Sequence, residues 1–278
     1  MANSINTNVK SIMAQNALVT NNRSLEKSMQ ELSTGKRING AADDAAGLAI
    51  SERMTAQIRG LNQAVRNAND GISMLQTAEG AMVETTNMLQ RMRELAVQSA
   101  TGSIDSTQRG YLNTEYGALA SEITRISAKT KWNGMAVVDG SFSGTAAVAF
   151  QVGAGASDTI TVGIKTMDIT TGNLIAAGVG GIDTVTNANT AIAAMDEALG
   201  SVASQRATLG AAINRLTYAA DNLANVSMNT AASRSRILDT DYAQATTNLA
   251  RTQIIQQAAT AMLAQANQQP QSVLALLK

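Results

Sequence analysis

Two long stretches of the chain carry apolar residues on alternating steps of three and four. This spacing is typical of an α-helix whose narrow apolar stripe can be buried only against another helix. The sequence therefore predicts two long helices, over about 58–100 and 185–230, that pack as an antiparallel coiled coil. The stripe positions are Ile58, Leu61, Val65, Ala68, Ile72, Leu75, Met82, Leu89 and Ala96, and then Ile192, Met195, Leu199, Val202, Leu209, Ile213, Leu216, Ala220 and Leu223.

Both chain ends also predict helices, although their apolar patterns are weaker. The segment 5–32 carries apolar residues whose positions drift around the helix, and Gly35 then gives a stop signal. The segment 240–266 predicts a final helix, capped by an aspartate among residues 239–241. After Pro270 the tail is almost continuously apolar, and in a monomer it would be exposed. The tail therefore predicts contact with a partner.

A carboxylate pair, Asp43 and Asp44, precedes the first long helix. Such a pair could bind a metal or form a catalytic dyad. The chain contains no histidine, however, and aspartate is common at helix starts, where its side chain accepts backbone N–H bonds. We therefore predict helix capping. Within that helix the stripe continues through Gly71 and Gly80 without a phase change, so these glycines predict close approach by a neighbour and not a break.

The pattern changes in the middle of the chain. Asp105 or Ser106 can cap a shorter helix that ends near Lys129, and residues 132–134 predict a turn. From about 136 to 181 the apolar residues alternate with polar ones, which is typical of short strands. The predicted fold class is thus mainly α: a long antiparallel helical bundle or coiled coil built from both chain ends, with a small β-hairpin element in the middle. The alternating positions are Val148, Phe150 and Val152, then Ile160, Val162 and Ile164.

The composition excludes several classes of function. Aromatic residues make up only 3% of the chain, which argues against an ordinary compact globular core. The 21 basic residues balance 21 acidic ones, so no net charge favours binding to nucleic acid. With neither cysteine nor histidine, we expect no enzyme, no cofactor and no metal site. No run approaches the roughly 20 apolar residues of a membrane span, and the start MANSINTNVK lacks a secretory signal. We expect a cytoplasmic protein, or one exported by another route.

Long segments of both ends resemble bacterial flagellin. At the beginning of the chain these segments are INTNVKSIMAQNAL, ELSTGKRINGAADDAAGLAISERM and RNANDGISMLQTAEGAM. At the other end the similar segment is SRILDTDYAQATTNLARTQIIQQAATAMLAQANQQPQSVLALL. The resemblance covers about 1–140 and 185–278. It implies four regions: an inner helical domain of 1–38 and 237–278, a connector of 39–57, an outer long-helix domain of 58–134 and 184–236, and a short variable β-rich region of 135–183.

The resemblance also implies a function. Copies of the chain would assemble into the extracellular flagellar filament after export, unfolded, through the flagellar type III apparatus. The partners would be further copies of the chain, an export chaperone, the filament cap and the hook-junction proteins. The residues expected to contribute to polymerisation are Ile5, Val9, Ile12, Leu249, Ile255, Met262, Leu274 and Leu277.

One surface resembles the family's recognition patch for host Toll-like receptor 5. Its residues are Gln90, Arg91, Glu94 and Leu95, together with Glu115 on the following helix. The same residues could instead pack subunits against one another, and both roles can hold. For the whole chain, the alternative functions are a hook–filament junction protein and a surface module that binds glycans or a receptor.

Overall fold

The computed structural model describes residues 7–142, 147–167 and 180–275, with side chains as far as residue 268. The predicted fold class is confirmed: the chain is mainly α-helical, with two small antiparallel strand pairs. It divides into two compact units, Gln57–Met228, and Met1–Ala56 with Asn229–Lys278. The elements are α1 (Val9–Thr34), α2 (Ala45–Ala100), α3 (Ser106–Lys129), β1 (Lys131–Trp132), β2 (Met135–Ala136), β3 (Val148–Gln151), β4 (Thr159–Val162), α4 (Val185–Leu238) and α5 (Tyr242–Ala275).

The predicted stripes of α2 and α4 form the core of the unit Gln57–Met228. Three polar contacts show that the helices run antiparallel: Arg93 with Asp196 (2.6 Å), Glu79 with Arg206 (3.6 Å) and Ser227 with Asn62 (2.9 Å). Since these contacts occur in opposite order along the two helices, the stripes meet layer by layer. The fully or nearly buried stripe residues are Leu61, Ala68, Leu75, Met82, Leu89 and Ala96 of α2, and Met195, Val202, Leu209, Leu216 and Leu223 of α4.

Helix α3 is capped at its start by Asp105 and at its end by Thr130. The Asp105 side chain accepts from the Gln108 backbone N–H, and the Gln108 side chain accepts from the Asp105 backbone N–H. After Lys129 a tight hairpin joins β1 to β2. Its two turn residues, Asn133 and Gly134, both have positive φ (48° and 81°), as an Asn-Gly hairpin turn requires. The predicted turn is thus confirmed.

The β3–β4 hairpin lies on α2, and the glycines of the helix explain how it fits. Strand β3 pairs antiparallel with β4, so that Phe150 is opposite Ile160. A Cβ on Gly71 would lie 2.8 Å from the Phe150 ring, so the expected close approach at Gly71 is confirmed. At Gly80, by contrast, no described atom lies within 4 Å of the position a Cβ would take. Close approach at Gly80 is thus not found among the described residues, and there it stays a prediction.

In the other unit, a short ladder joins the segments that follow α1 and α4. Gly35 ends α1 in the left-handed conformation (φ 68°), which confirms the predicted stop. The Arg37 backbone N–H donates to the Leu238 carbonyl (2.7 Å), and the Thr240 N–H donates to the Gly35 carbonyl (3.0 Å). These bonds fix where α1 ends relative to where α5 begins.

Three helices are longer than the sequence pattern predicted. Helix α2 begins at Ala45 and not at Ile58, because Asp44 caps it by accepting from the Gly47 N–H (2.8 Å). Capping by Asp44 confirms the predicted role of the carboxylate pair. Helix α4 continues beyond 230 to Leu238, and α5 continues beyond 266 to Ala275. An apolar stripe marks only the part of a helix that packs on an apolar partner, so the predicted start of α2 was too late and the predicted end of α4 too early. The predicted end of α5 was also too early, since that helix continues through Pro270.

Candidate assembly surface

Helices α1 and α5 contact each other through small and polar residues together with leucines. In α1 the buried residues are Ser11, Asn21 and Ser28, and in α5 they are Ala245 and Thr252. With half-buried neighbours they follow alternating steps of three and four, as in a coiled coil. We call this contact the α1–α5 seam. Its residues are Ser11, Ala14, Leu18, Asn21, Leu25, Ser28 and Leu32 of α1, and Ala245, Leu249, Thr252, Gln256, Ala259, Leu263 and Ala266 of α5.

Hydrogen bonds cross the α1–α5 seam along its length. The Asn21 side chain donates to the Thr252 carbonyl oxygen (2.9 Å), and this bond is buried. The Gln256 side chain donates to the Asn22 side-chain oxygen (3.1 Å). Near the start of α1, the Ser11 hydroxyl donates to the side-chain oxygen of Asn267 (2.8 Å). Specific polar contacts therefore accompany the leucines that pack in this seam.

Several other large apolar residues of the same two helices are exposed and lie outside this seam. Val9 is 56% exposed and Met262 is 65% exposed. Exposed apolar residues that form a patch on a monomer usually mark an interaction site. We call this set the outer apolar surface. Its members are Val9, Ile12, Met13, Val19 and Met29 of α1, and Ile254, Ile255 and Met262 of α5.

The expected polymerisation residues divide between these surfaces. Val9, Ile12, Ile255 and Met262 belong to the outer apolar surface, whereas Leu249 is half-buried in the α1–α5 seam. Two of the expected residues, Ile5 and Leu277, lie outside the described residues, and for Leu274 only the backbone in α5 is described.

Sequence reasoning did not separate the α1–α5 seam from the outward-facing residues. A search for apolar periodicity follows Val9, Ile12 and Val19, which face outward, together with the seam leucines, and it reads the result as a drifting stripe. The signal that marks the seam is a three–four spacing from Ser11 onward, in which leucines alternate with asparagine and serine. Such a spacing, beside a second apolar set, would have indicated a helix with two contact faces.

The second candidate surface is centred on Arg91 of α2. Its guanidinium contacts the carboxylates of Glu115 (2.9 Å) and Glu94 (3.1 Å). Hydrogen bonds, first to Glu115 and then to Glu94, raise the pKa of Arg91 above its ordinary value. Gln90 is also exposed. The structure thus brings Arg91, Glu94 and Glu115 together at the surface of α2 and α3, and Gln90 is exposed on α2 next to Arg91 in the sequence.

The fifth expected recognition residue, Leu95, lies elsewhere. Its side chain is 0% exposed and belongs to the core cluster of α2. Leu95 is four residues from Arg91, a spacing that would place both on one helix face. That spacing covers 400° of rotation, or about 40° from perfect alignment. This offset takes Leu95 into the buried stripe, so it cannot be part of an accessible patch in this conformation.

Within the described ranges, no cluster of three or more acidic residues is placed to hold a metal ion. None of the helices as described is long and apolar enough to span a membrane.

Paired terminal helices with their apolar residues turned outward define a class of protein, the helical subunit that associates with other chains. The comparisons with known proteins then specify the family. Residues 5–143 match the family model for the bacterial flagellin N-terminal helical region, and residues 192–277 match that for the C-terminal helical region. The chain belongs to the flagellin family, the structural proteins of the bacterial flagellar filament.

Individual relatives agree over the whole chain. A flagellin of Halalkalibacterium halodurans is 46% identical over 274 residues, which cover 99% of each chain. A flagellar filament 33 kDa core protein of Treponema phagedenis is 44% identical over 286 residues, also covering 99% of each chain. The crystal structure of Bacillus cereus flagellin matches with a TM-score of 0.50 and 32% identity, covering 57% of this chain and 88% of that one.

Proposed function

We propose that this chain polymerises with copies of itself into the flagellar filament, and that the outer apolar surface is a principal contact between subunits. The observation that carries this proposal is the division of roles on α1 and α5. Their polar residues are used within the subunit, while Val9, Ile12, Ile255 and Met262 remain uncovered. Full burial of one such side chain contributes roughly 1.5–3 kcal/mol, so several together supply a large driving force for assembly.

The same division supports the proposed route of export. A pair of helices joined by a few hydrogen bonds opens at small cost, since each bond contributes only about 0.5–1.5 kcal/mol net. The chain has no cysteine and hence no disulfide to reduce. We therefore propose that it leaves the cell unfolded through the flagellar type III apparatus. An export chaperone, the filament cap and the hook-junction proteins would be its further partners.

The assembly proposal predicts that exchanging methionine and glutamine changes polymerisation strongly at position 262 and little at position 253. Met262→Gln keeps the side-chain volume but places a polar amide on the outer apolar surface. Gln253→Met makes the reverse exchange at an exposed polar position of α5. We expect Met262→Gln to raise the critical concentration for polymerisation about tenfold, since about 1.4 kcal/mol corresponds to a factor of ten. Gln253→Met should leave it within about threefold.

The measurement is sedimentation of polymer grown from seeds, with electron microscopy of the product. Equal critical concentrations for Met262→Gln and the parent chain would contradict the assigned surface. Parent protein that forms no long filaments under seeding conditions would contradict self-assembly itself, and it would favour a junction protein.

We also propose that the released monomer is recognised by Toll-like receptor 5 through Gln90, Arg91, Glu94 and Glu115. The support is the exposed ion-pair cluster around Arg91, which presents charged hydrogen-bonding groups from two helices. Arg93 offers a matched control, because it is similarly exposed and forms an ion pair with Asp196.

Arg91→Ala should lower the response of epithelial reporter cells to pure monomer at least tenfold, and Arg93→Ala should change it less than threefold. Thermal unfolding of both variants controls for loss of the fold. Equal losses for the two variants would argue against a patch centred on Arg91. No response to the parent monomer would refute recognition altogether.

A further inference from the structure

Pro270 lies inside α5, where a proline leaves one carbonyl without its usual partner. In an α-helix the N–H of residue 270 would donate to the carbonyl of Ala266, but proline has no N–H. In this structure the Ala266 carbonyl instead accepts from the side-chain amide of Asn8, at 2.8 Å. A residue at the opposite end of the sequence therefore replaces the missing helix bond.

The other end of the same amide caps α1. The Asn8 side-chain oxygen accepts from the Ser11 backbone N–H (3.2 Å), which satisfies one of the free donors of the first turn. The next contact along is the bond from the Ser11 hydroxyl to Asn267. One side chain thus supplies an acceptor to the beginning of α1 and a donor to the interrupted part of α5.

The α1–α5 seam gains from such a contact, because part of its packing repeats. Leucines recur every seven positions in α1, at Leu18, Leu25 and Leu32, so a shift of one helix by a whole repeat would still place leucines in the seam. The carbonyl freed by Pro270 occurs at one position only along α5, since the chain has a single proline.

We propose that Asn8 and Pro270 act together as a register pin, which sets the axial alignment of α1 against α5. Alignment determines how the apolar residues of the two helices combine into one outer apolar surface. Asn8 is thus a positioning residue for assembly, acting through the placement of Val9, Ile12 and Met262. The test of this inference by polymerisation rests on the proposed function, whereas the direct measurement of helix alignment does not.

The first test is a double-mutant cycle on the full-length chain. Asn8→Ser keeps a good N-cap residue but is too short to reach Ala266. Pro270→Ala supplies the missing N–H, so that the Ala266 carbonyl no longer needs Asn8. We expect Asn8→Ser to raise the critical concentration for polymerisation about fivefold in the parent chain. In the Pro270→Ala chain it should change the critical concentration less than twofold.

Asn22→Ser is the matched control, because Asn22 accepts a seam hydrogen bond from Gln256 that does not involve Pro270. Its effect should be the same in both backgrounds. An equal effect of Asn8→Ser in both backgrounds, or no effect in either, would overturn the pin. If Pro270→Ala does not assemble alone, the same comparison is made as elongation rates on parent seeds.

The second test does not depend on polymerisation. Ser11→Cys with Asn267→Cys introduces the only thiols in the chain, at two positions that the pin aligns. A short bismaleimide should link them intramolecularly with high yield when Asn8 and Pro270 are both present. The yield should fall at least twofold, to similar levels, with Asn8→Ser, Pro270→Ala or both. Unchanged yield would overturn the pin even if the parent chain polymerises.

Discussion

Tyr116 in α3 carries a buried hydroxyl that is not satisfied. The side chain is 1% exposed, and its hydroxyl has no hydrogen-bond partner among the described residues. Burial raises the pKa of Tyr116 to about 12, so the phenol stays neutral at any ordinary pH. A buried donor without a partner costs about 1–3 kcal/mol, which makes this residue a local weakness in an otherwise apolar core.

Removal of that hydroxyl should stabilise the protein. Tyr116→Phe keeps the ring packing and removes the unpaired group, so we expect the free energy of unfolding to rise by about 1 kcal/mol. This corresponds to an increase of about 2–4 °C in the melting temperature followed by circular dichroism. Tyr111→Phe is the control on the same helix, since Tyr111 is 72% exposed and should show no change. A lower melting temperature for Tyr116→Phe would mean that its hydroxyl has a partner in solution.

At the scale of the elements, the sequence predicts helices well where their partner lies in the same subunit. In α2 and α4 the predicted stripe positions that repeat every seven residues, such as Leu75 and Leu209, are buried. Others, such as Ile213, are half-buried beside a buried alanine. For α1 and α5 the same method mixed two faces: Ile255 faces outward, whereas Leu249 lies in the α1–α5 seam. Hydropathy locates the driest face of a helix but does not say which chain covers it.

The ends of the elements and the candidate recognition patch show the same limit. Helix ends at capping residues such as Asp105 and Gly35 could be predicted from the sequence, because capping depends only on neighbouring residues. The continuation of α5 through Pro270 was not predicted, and the Ala266 carbonyl there accepts from Asn8, more than 250 positions away along the chain, which no local pattern reveals. Leu95 was misplaced because a four-residue spacing does not separate the edge of a buried stripe from the exposed face beside it.

Two glycines of α2 should respond oppositely to the same substitution. Gly71→Ala gains about 1 kcal/mol of helix propensity, but its Cβ would lie 2.8 Å from the Phe150 ring, and overpacking costs about 1–3 kcal/mol. We expect a net loss of about 1 kcal/mol. Gly80→Ala meets open space among the described residues and should gain about 1 kcal/mol. Urea unfolding of the monomer measures both, and a gain for Gly71→Ala would show that the β3–β4 hairpin does not rest on this glycine in solution.

At the scale of the whole molecule, the composition agrees with a chain that completes its burial by association. Aromatic residues are scarce, and the core of the unit Gln57–Met228 consists mainly of thin layers between helices. In the other unit, polar residues and leucines share the α1–α5 seam, and further apolar residues remain exposed. The first unit thus uses its apolar residues for folding, and the second, on our proposal, uses its exposed ones for contact with other subunits.

Removal of the last ten residues should separate these two uses. Deletion of residues 269–278 leaves the core of Gln57–Met228 intact, so the chain should remain soluble, with an unchanged main thermal transition. We expect no polymerisation, even on parent seeds, because the deletion shortens α5 and removes the apolar tail. Sedimentation and electron microscopy measure the outcome. Normal filaments from the truncated chain would contradict a role for the tail in assembly.

The seven-residue layering of α2 and α4 also restricts how the gene can change in length. Buried layers recur from Leu61 to Ala96 in one helix and from Met195 to Leu223 in the other. Insertion or deletion of one codon would rotate all later residues of that helix by about 100° and turn its layers to solvent. Only a change of seven codons in both helices together would preserve the match. Natural insertions should therefore accumulate outside α2 and α4. Related chains of very different length should align over these two helices without a gap.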